Sequence, residues 1–177
     1  LFLPFLPMLP TQILLNNILY DISEVPIPFD QVDREEILRP HVLDLDFIRN
    51  FMLVIGPISS LFDFLTFYIM LAVLEADEKL FQTGWFVESL CTQVLVIFII
   101  RTRGNPLKSR AHPLLTATSL AIVGTAVLLP LTPLGMHFGF VPPPARFYFI
   151  LGVMVLVYLF AVELAKHWRT DKYLRQL

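Results

Sequence analysis

Thiol chemistry is nearly absent from this chain, which has one cysteine, Cys91. A single cysteine closes no internal disulfide, and there is no CxxC pair to hold a metal. Cys91 sits in an apolar run, where a free cysteine packs as a small hydrophobe. Charge is scarce too. Only 16% of residues are Asp, Glu, Lys or Arg, against about a quarter in a typical soluble domain. The net charge of −2 leaves no basic excess for a nucleic acid. No GxxxxGK[ST] phosphate loop and no HExxH zinc helix occurs, and the loops are too short to form a catalytic domain. The start at Leu1 has neither the basic n-region nor the small-residue cleavage site of a signal peptide. It reads as a chain cut out of something longer.

What the chain has in excess is apolar surface. Hydrophobic residues make up 56% of it and the mean hydropathy is +0.69, more than one aqueous core can hide, so the bilayer is the natural solvent. A spanning helix takes roughly 20 apolar residues, which limits the length to about five or six spans. The expected fold is all-α: a multi-span transmembrane helical bundle of about five helices, one membrane domain over 1–177. The apolar runs place the spans at 9–22, 47–74, 81–100, 114–131 and 147–165. Prolines 4, 7 and 10 exclude a regular helix before the first span, and Pro10 suits its first turn. The second run is longer than a span needs, which predicts tilt or a kink at Gly56-Pro57. The Pro- and Gly-rich stretch 130–146 reads as a turn-filled loop.

The basic residues alternate in a way that predicts sidedness. Arg101, Arg103, Lys108 and Arg110 mark the 101–113 connection as cytoplasmic, and the tail 166–177 carries Lys166, Arg169, Lys172 and Arg175. The charged loop 24–46 brings Arg34 and Arg39 to the same side, with Arg49 just beyond it. The opposite connections hold only Lys79 and Arg146. Five spans therefore start outside and end inside, with a cytoplasmic C-terminus.

Candidate chemistry concentrates in the first span. Asn17 and Asp21 are four apart and share a helical face, with Asn16 and Tyr20 in the neighbouring row. An intramembrane carboxylate is costly and marks a pathway or a pairing. A carboxylate with amide carbonyls suits a hard cation such as Mg²⁺ or Ca²⁺. Interhelical hydrogen bonding is the alternative use of such residues. Glu88 and Gln93 lie in the third span, about 140° apart around the helix, with Glu88 a few residues inside the span's edge. Asp63 lies mid-span near Ser59 and Ser60, as a structural pairing or a transport residue. Glu163 is expected to pair with Lys166 or His167.

The run LPTQILLNNILYDIS resembles the sixth membrane helix of P-type ATPases, which carries Asn-x-x-x-Asp seven residues after a proline, as Pro10, Asn17 and Asp21 do here. FLPFLPMLP, NNILYDIS, GPISSLFDFLTF, LFQTGWFVESLCTQ, IIRTR and the basic connection NPLKSRAHPLL resemble the magnesium-translocating branch. The likeness runs from Leu1 to about Lys166. Asn50 departs from it, standing where the pattern has a second basic residue.

The resemblance implies helices six to ten of an ATP-driven pump importing Mg²⁺, with ATP used by domains outside this segment. It implies Asn17 and Asp21 as cation ligands, in a helix that moves or unwinds around its site. Gln93 matches the position where calcium and sodium pumps place a ligating Glu or Gln. Gln93, Glu88, Asn16 and Asp63 are the weaker metal candidates. Partners would be the lipid bilayer and the remaining helices and cytoplasmic domains of the same pump, in a bacterial inner or plasma membrane, with no nucleic acid. A pump for another cation such as Ca²⁺, and a non-transporting membrane scaffold, are the alternatives.

Overall fold

The computed structural model describes residues 3–30, 45–101 and 111–174. Of the basic residues behind the expected sidedness, Arg34, Arg39, Arg103, Lys108, Arg110 and Arg175 lie outside them. No strand occurs among the described residues. Helix α1 spans Pro10–Glu24, α2 Leu45–Tyr68, α3 Glu78–Ile100, α4 Pro113–Leu128, the short α5 Pro133–His137 and α6 Ala145–Leu174. Four stretches are long and apolar enough to cross a membrane: Met52–Val73, Glu78–Ile100, Pro113–Leu131 and Ala145–Lys166. With 15 residues, α1 is only about 22 Å long at 1.5 Å per residue, short of a ~30 Å hydrocarbon core.

Local chemistry sets the helix ends. Pro10 occupies the first turn of α1, where its missing N–H costs no helical bond. Two residues on, Gln12 Oε1 accepts from the Leu9 N–H at 3.0 Å, one half of a capping box. The helix runs unbroken through Asn16-Asn17 and stops before Pro26 and Pro28, which sit in and beside a 3₁₀ turn at Ile27–Phe29. At the start of α3 the Asp77 carboxylate accepts from the Leu80 N–H at 2.9 Å, an N-cap. Because α3 begins at Glu78 rather than at Phe81, Glu88 stands ten residues in from one end and twelve from the other. It is a mid-helix residue, not one near the edge.

Helix α2 continues past Pro57, and its departure from α geometry comes later. Ile69–Val73 form a π turn in which the Leu74 N–H reaches the Ile69 carbonyl at 2.9 Å. Glu75, with φ 48°, then takes the left-handed conformation that ends the helix. The 130–146 stretch also holds more than turns, since α5 lies inside it, capped by the Thr132 hydroxyl accepting from the Gly135 N–H.

The core is built around α3, which packs against α6, α4, α1 and α2. Phe81, Phe86, Val87, Leu90 and Val94 on it are fully buried, as expected of a helix that is apolar on every side. Gly84 lets three helices meet. A Cβ there would lie 2.5 Å from Met70 Cε of the α2 π turn and 3.1 Å from the Phe147 ring of α6. Met52, Leu53, Leu61, Phe64 and Leu65 of α2 are exposed, the pattern of a helix bathed in lipid or other helices.

Buried polar side chains hold both ends of the bundle. At one end Gln12 Nε2 donates to the Phe138 carbonyl at 3.0 Å, Gln82 Nε2 donates to the Leu6 carbonyl at 3.0 Å, and the Val141 N–H donates to the Thr83 hydroxyl at 3.1 Å. At the other, Arg101 Nε pairs with the Asp30 carboxylate at 2.9 Å, which also accepts from the His112 N–H at 2.7 Å. That cluster ties the segment after α1 to the end of α3 and the start of α4. Lys166 pairs with Glu163 at 2.7 Å and caps the Ile99 carbonyl at 3.1 Å. The expected Glu163 pairing is thus present.

Candidate cation site

Helix α1 divides its polar residues between two faces. Gln12, Asn16 and Ser23 point into the bundle, whereas Asn17 and Asp21 are exposed on the opposite side among Ile13, Leu14, Ile18 and Ile22. This follows from the 3.6-residue repeat: Asn17 and Asp21 are one turn apart, and Asn16 is 100° round from Asn17. The chain thus presents an amide at mid-helix and, one turn on in the last turn of α1, a carboxylate, on a surface that its own α3 and α4 do not cover.

The inward row makes different contacts. Asn16 Nδ2 donates to Gln93 Oε1 of α3 at 3.4 Å, and Gln93 Nε2 donates to the Ser89 hydroxyl at 2.9 Å. Asn16 Oδ1 is buried with no hydrogen-bond partner. Asn16 and Gln93 therefore form an interhelical amide contact that leaves one buried oxygen over.

Behind this contact lies a cavity of about 280 Å³ bounded by α1, α2, α3 and α6. Tyr20, Asp63, Glu88 and Gln93 all border it. Glu88 and Gln93, 140° apart on the helix, reach it from two sides: Gln93 faces α1, and Glu88 lies beside Thr66 of α2. Asp63 is exposed at the rim of the cavity, close enough to act on Glu88 electrostatically. Its expected local partner Ser59 is engaged elsewhere, sharing a 3.0 Å hydrogen bond with the Tyr158 hydroxyl of α6. The Phe62 and Tyr158 rings meet edge to face at 5.3 Å in the cavity wall.

The structure thus sorts the six candidates into two sets. Asn17 and Asp21 stand together on the outer face of α1. Asn16, Gln93, Glu88 and Asp63 gather on the inner side, on or next to the cavity. Tyr158 and Thr66 join the second set without any signal in the sequence, since their contacts depend on which helices are neighbours. Among the described residues no group of three His, Cys, Asp or Glu side chains converges as a metal cluster, so any cation held here relies on neutral oxygens as well.

Four apolar helices of spanning length define an integral multi-pass membrane protein. The chain belongs to the cation-transporting ATPase family: the family model described as Cation transporting ATPase, C-terminus matches residues 5–168. It is 41% identical over 177 residues to the Magnesium-transporting ATPase, P-type 1 of Salmonella typhimurium strain LT2. To the protein of the same name from Escherichia coli strain K12 it is 38% identical over 178 residues. Each alignment covers 97% of this chain and 20% of the relative, so the chain spans a fifth of the length of the curated relatives it matches.

Proposed function

We propose that this chain is the C-terminal membrane part of an ATP-driven P-type pump that carries Mg²⁺ across a bacterial inner membrane, with its C-terminus in the cytoplasm. Mg²⁺ is the cargo. ATP is used by the parts of the pump outside this segment, and this chain alone does not hydrolyse it. Asn17 and Asp21 are the principal ligands. The observation that carries this reading is their outward stacking on α1. A carboxylate in the last turn of a short apolar helix, on an exposed face, calls for partners from elsewhere, and the remaining helices of the pump supply them. The Asp21 carboxylate and the Asn17 amide carbonyl are hard oxygen donors. Mg²⁺ sheds water reluctantly, so a few protein oxygens with retained waters suffice. Asn16 and Gln93 act behind them, fixing the rotation of α1 against α3.

The test is uptake of radiolabelled Mg²⁺ by the complete pump, in cells lacking other magnesium importers. Asp21→Asn and Asn17→Ala each abolish uptake while leaving the pump in the membrane. Wild-type uptake by both variants would overturn the site assignment. Uptake of Ca²⁺ in place of Mg²⁺ would reassign the cargo.

A further inference from the structure

We propose that the cavity between α1, α2, α3 and α6 is a second cation site, distinct from the Asn17–Asp21 pair, that holds a hydrated divalent cation between the Glu88 and Asp63 carboxylates.

The cavity supplies the anionic side of such a site without any cationic side chain. Glu88 is only 2% exposed, and its Oε2 atom has no hydrogen-bond partner. An unpaired carboxylate oxygen buried among apolar helices is costly, and buried charges are paired or hold a metal. Among the described residues, neither Lys, Arg nor His lines the cavity. Arg101, further along α3, is engaged with Asp30, and Lys166, further along α6, with Glu163 and the Ile99 carbonyl. The other carboxylate that borders the cavity is Asp63, at its rim. Two carboxylates in one cavity match the charge of one divalent ion.

The remaining walls fit the same chemistry. Ser59, Ser89, Thr92, Gln93 and Tyr158 border the cavity and offer neutral oxygens, the donors that hard cations take. At about 30 Å³ per water, ~280 Å³ holds roughly nine water volumes, room for a small cation that keeps part of its hydration shell. Tyr158 is 5% exposed, with its ring packed against Phe62 and its hydroxyl on Ser59, so the α2–α6 wall is pre-formed. Every residue of this site belongs to the chain itself.

The site is tested by equilibrium Mn²⁺ binding to the complete purified pump without nucleotide, counted by electron paramagnetic resonance. Glu88→Gln keeps the shape and removes the charge, and it lowers the bound Mn²⁺ by one per pump. Asp63→Asn does the same. Glu88→Asp retains the charge on a shorter stem and weakens that ion about tenfold without deleting it, which separates lost ligation from lost folding. Full Mn²⁺ stoichiometry in Glu88→Gln overturns the proposal, as it would if the carboxyl merely carried a proton. Asp21→Asn removes a different ion and leaves this one. If Asp21→Asn removes nothing, the transport-site reading fails while the cavity site stands.

Discussion

The Asn17–Asp21 row and the Asp63–Glu88 cavity both place carboxylates on apolar helices, but they are built in opposite ways. Asn17 and Asp21 stand on an exposed face of α1. Glu88 is enclosed by four helices of this chain, with Asp63 at the open edge. An exposed row on a short helix is an unfinished site, to be completed by other helices. An enclosed cavity is finished locally, and its properties should survive changes on the α1 face. Substitutions that hit one region and spare the other test this contrast.

The largest effect is expected where the site is unfinished. Asp21→Asn should lower transport by the complete pump at least hundredfold, about 3 kcal/mol or more of lost stabilisation, while bundle stability stays within about 0.5 kcal/mol, as for an exposed position. Uptake and thermal unfolding measured on the same preparation check both halves. A stability loss matching the activity loss would erase the contrast, because it would make Asp21 a folding residue.

Next comes the clamp that anchors the end of the α1 segment. Arg101 and Asp30 are mostly buried, at 8% and 12% side-chain exposure. Arg101→Ala leaves the Asp30 carboxylate in place with, among the described residues, the His112 N–H to serve it, a loss of about 3 kcal/mol. The unfolding midpoint should fall. The apparent affinity for transported Mg²⁺ should weaken too, since α1 loses its hold on α3 and α4. Mn²⁺ in the Glu88 cavity should be weakened less.

Gly84→Val acts on the other region. The added atoms meet Met70 and Phe147 where α2, α3 and α6 converge. Overpacking of this kind costs about 1–3 kcal/mol. The Met70 side chain is the flexible part and the Phe147 ring the stiff one, so α6 should be displaced, and with it the Tyr158 wall. Melting temperature and Mn²⁺ counting together should show lower stability and a looser cavity, with Asp21-dependent transport reduced less.

Much of this was legible in the sequence, for identifiable reasons. Long apolar runs have only one solvent that suits them, so the spanning helices announce themselves. The Asn17–Asp21 row is a property of one helix, and helical periodicity fixes it. Glu88 and Asp63 are different. They are 25 residues apart on separate helices, and their meeting depends on the rotation of α2 against α3, which no local spacing encodes. The same holds for Ser59, which neighbours Asp63 in sequence yet bonds to Tyr158. Apolarity begins at Phe81, which puts Glu88 near a span's edge in the sequence, whereas the Asp77 cap starts the helix earlier. Gln82 and Thr83, polar residues at that helix start, are buried because loop backbone comes to meet them.

The smallest expected effect is the most direct probe of the cavity wall. Ser59→Ala and Tyr158→Phe each delete one partner of the same 3.0 Å hydrogen bond, and each should cost about 1 kcal/mol. If that bond is all they share, the double variant should be no worse than either single one, giving a coupling energy of about 1 kcal/mol in a double-mutant cycle. The cycle can be run twice, once on unfolding and once on Mn²⁺ affinity. In unfolding, coupling reports the α2–α6 contact alone. In Mn²⁺ affinity, coupling appears only if the bound ion senses how the Tyr158 hydroxyl is oriented. Coupling in both would place the tyrosine hydroxyl next to the ion. Coupling in unfolding alone would keep the cation with the carboxylates and make Tyr158 a packing residue of the wall.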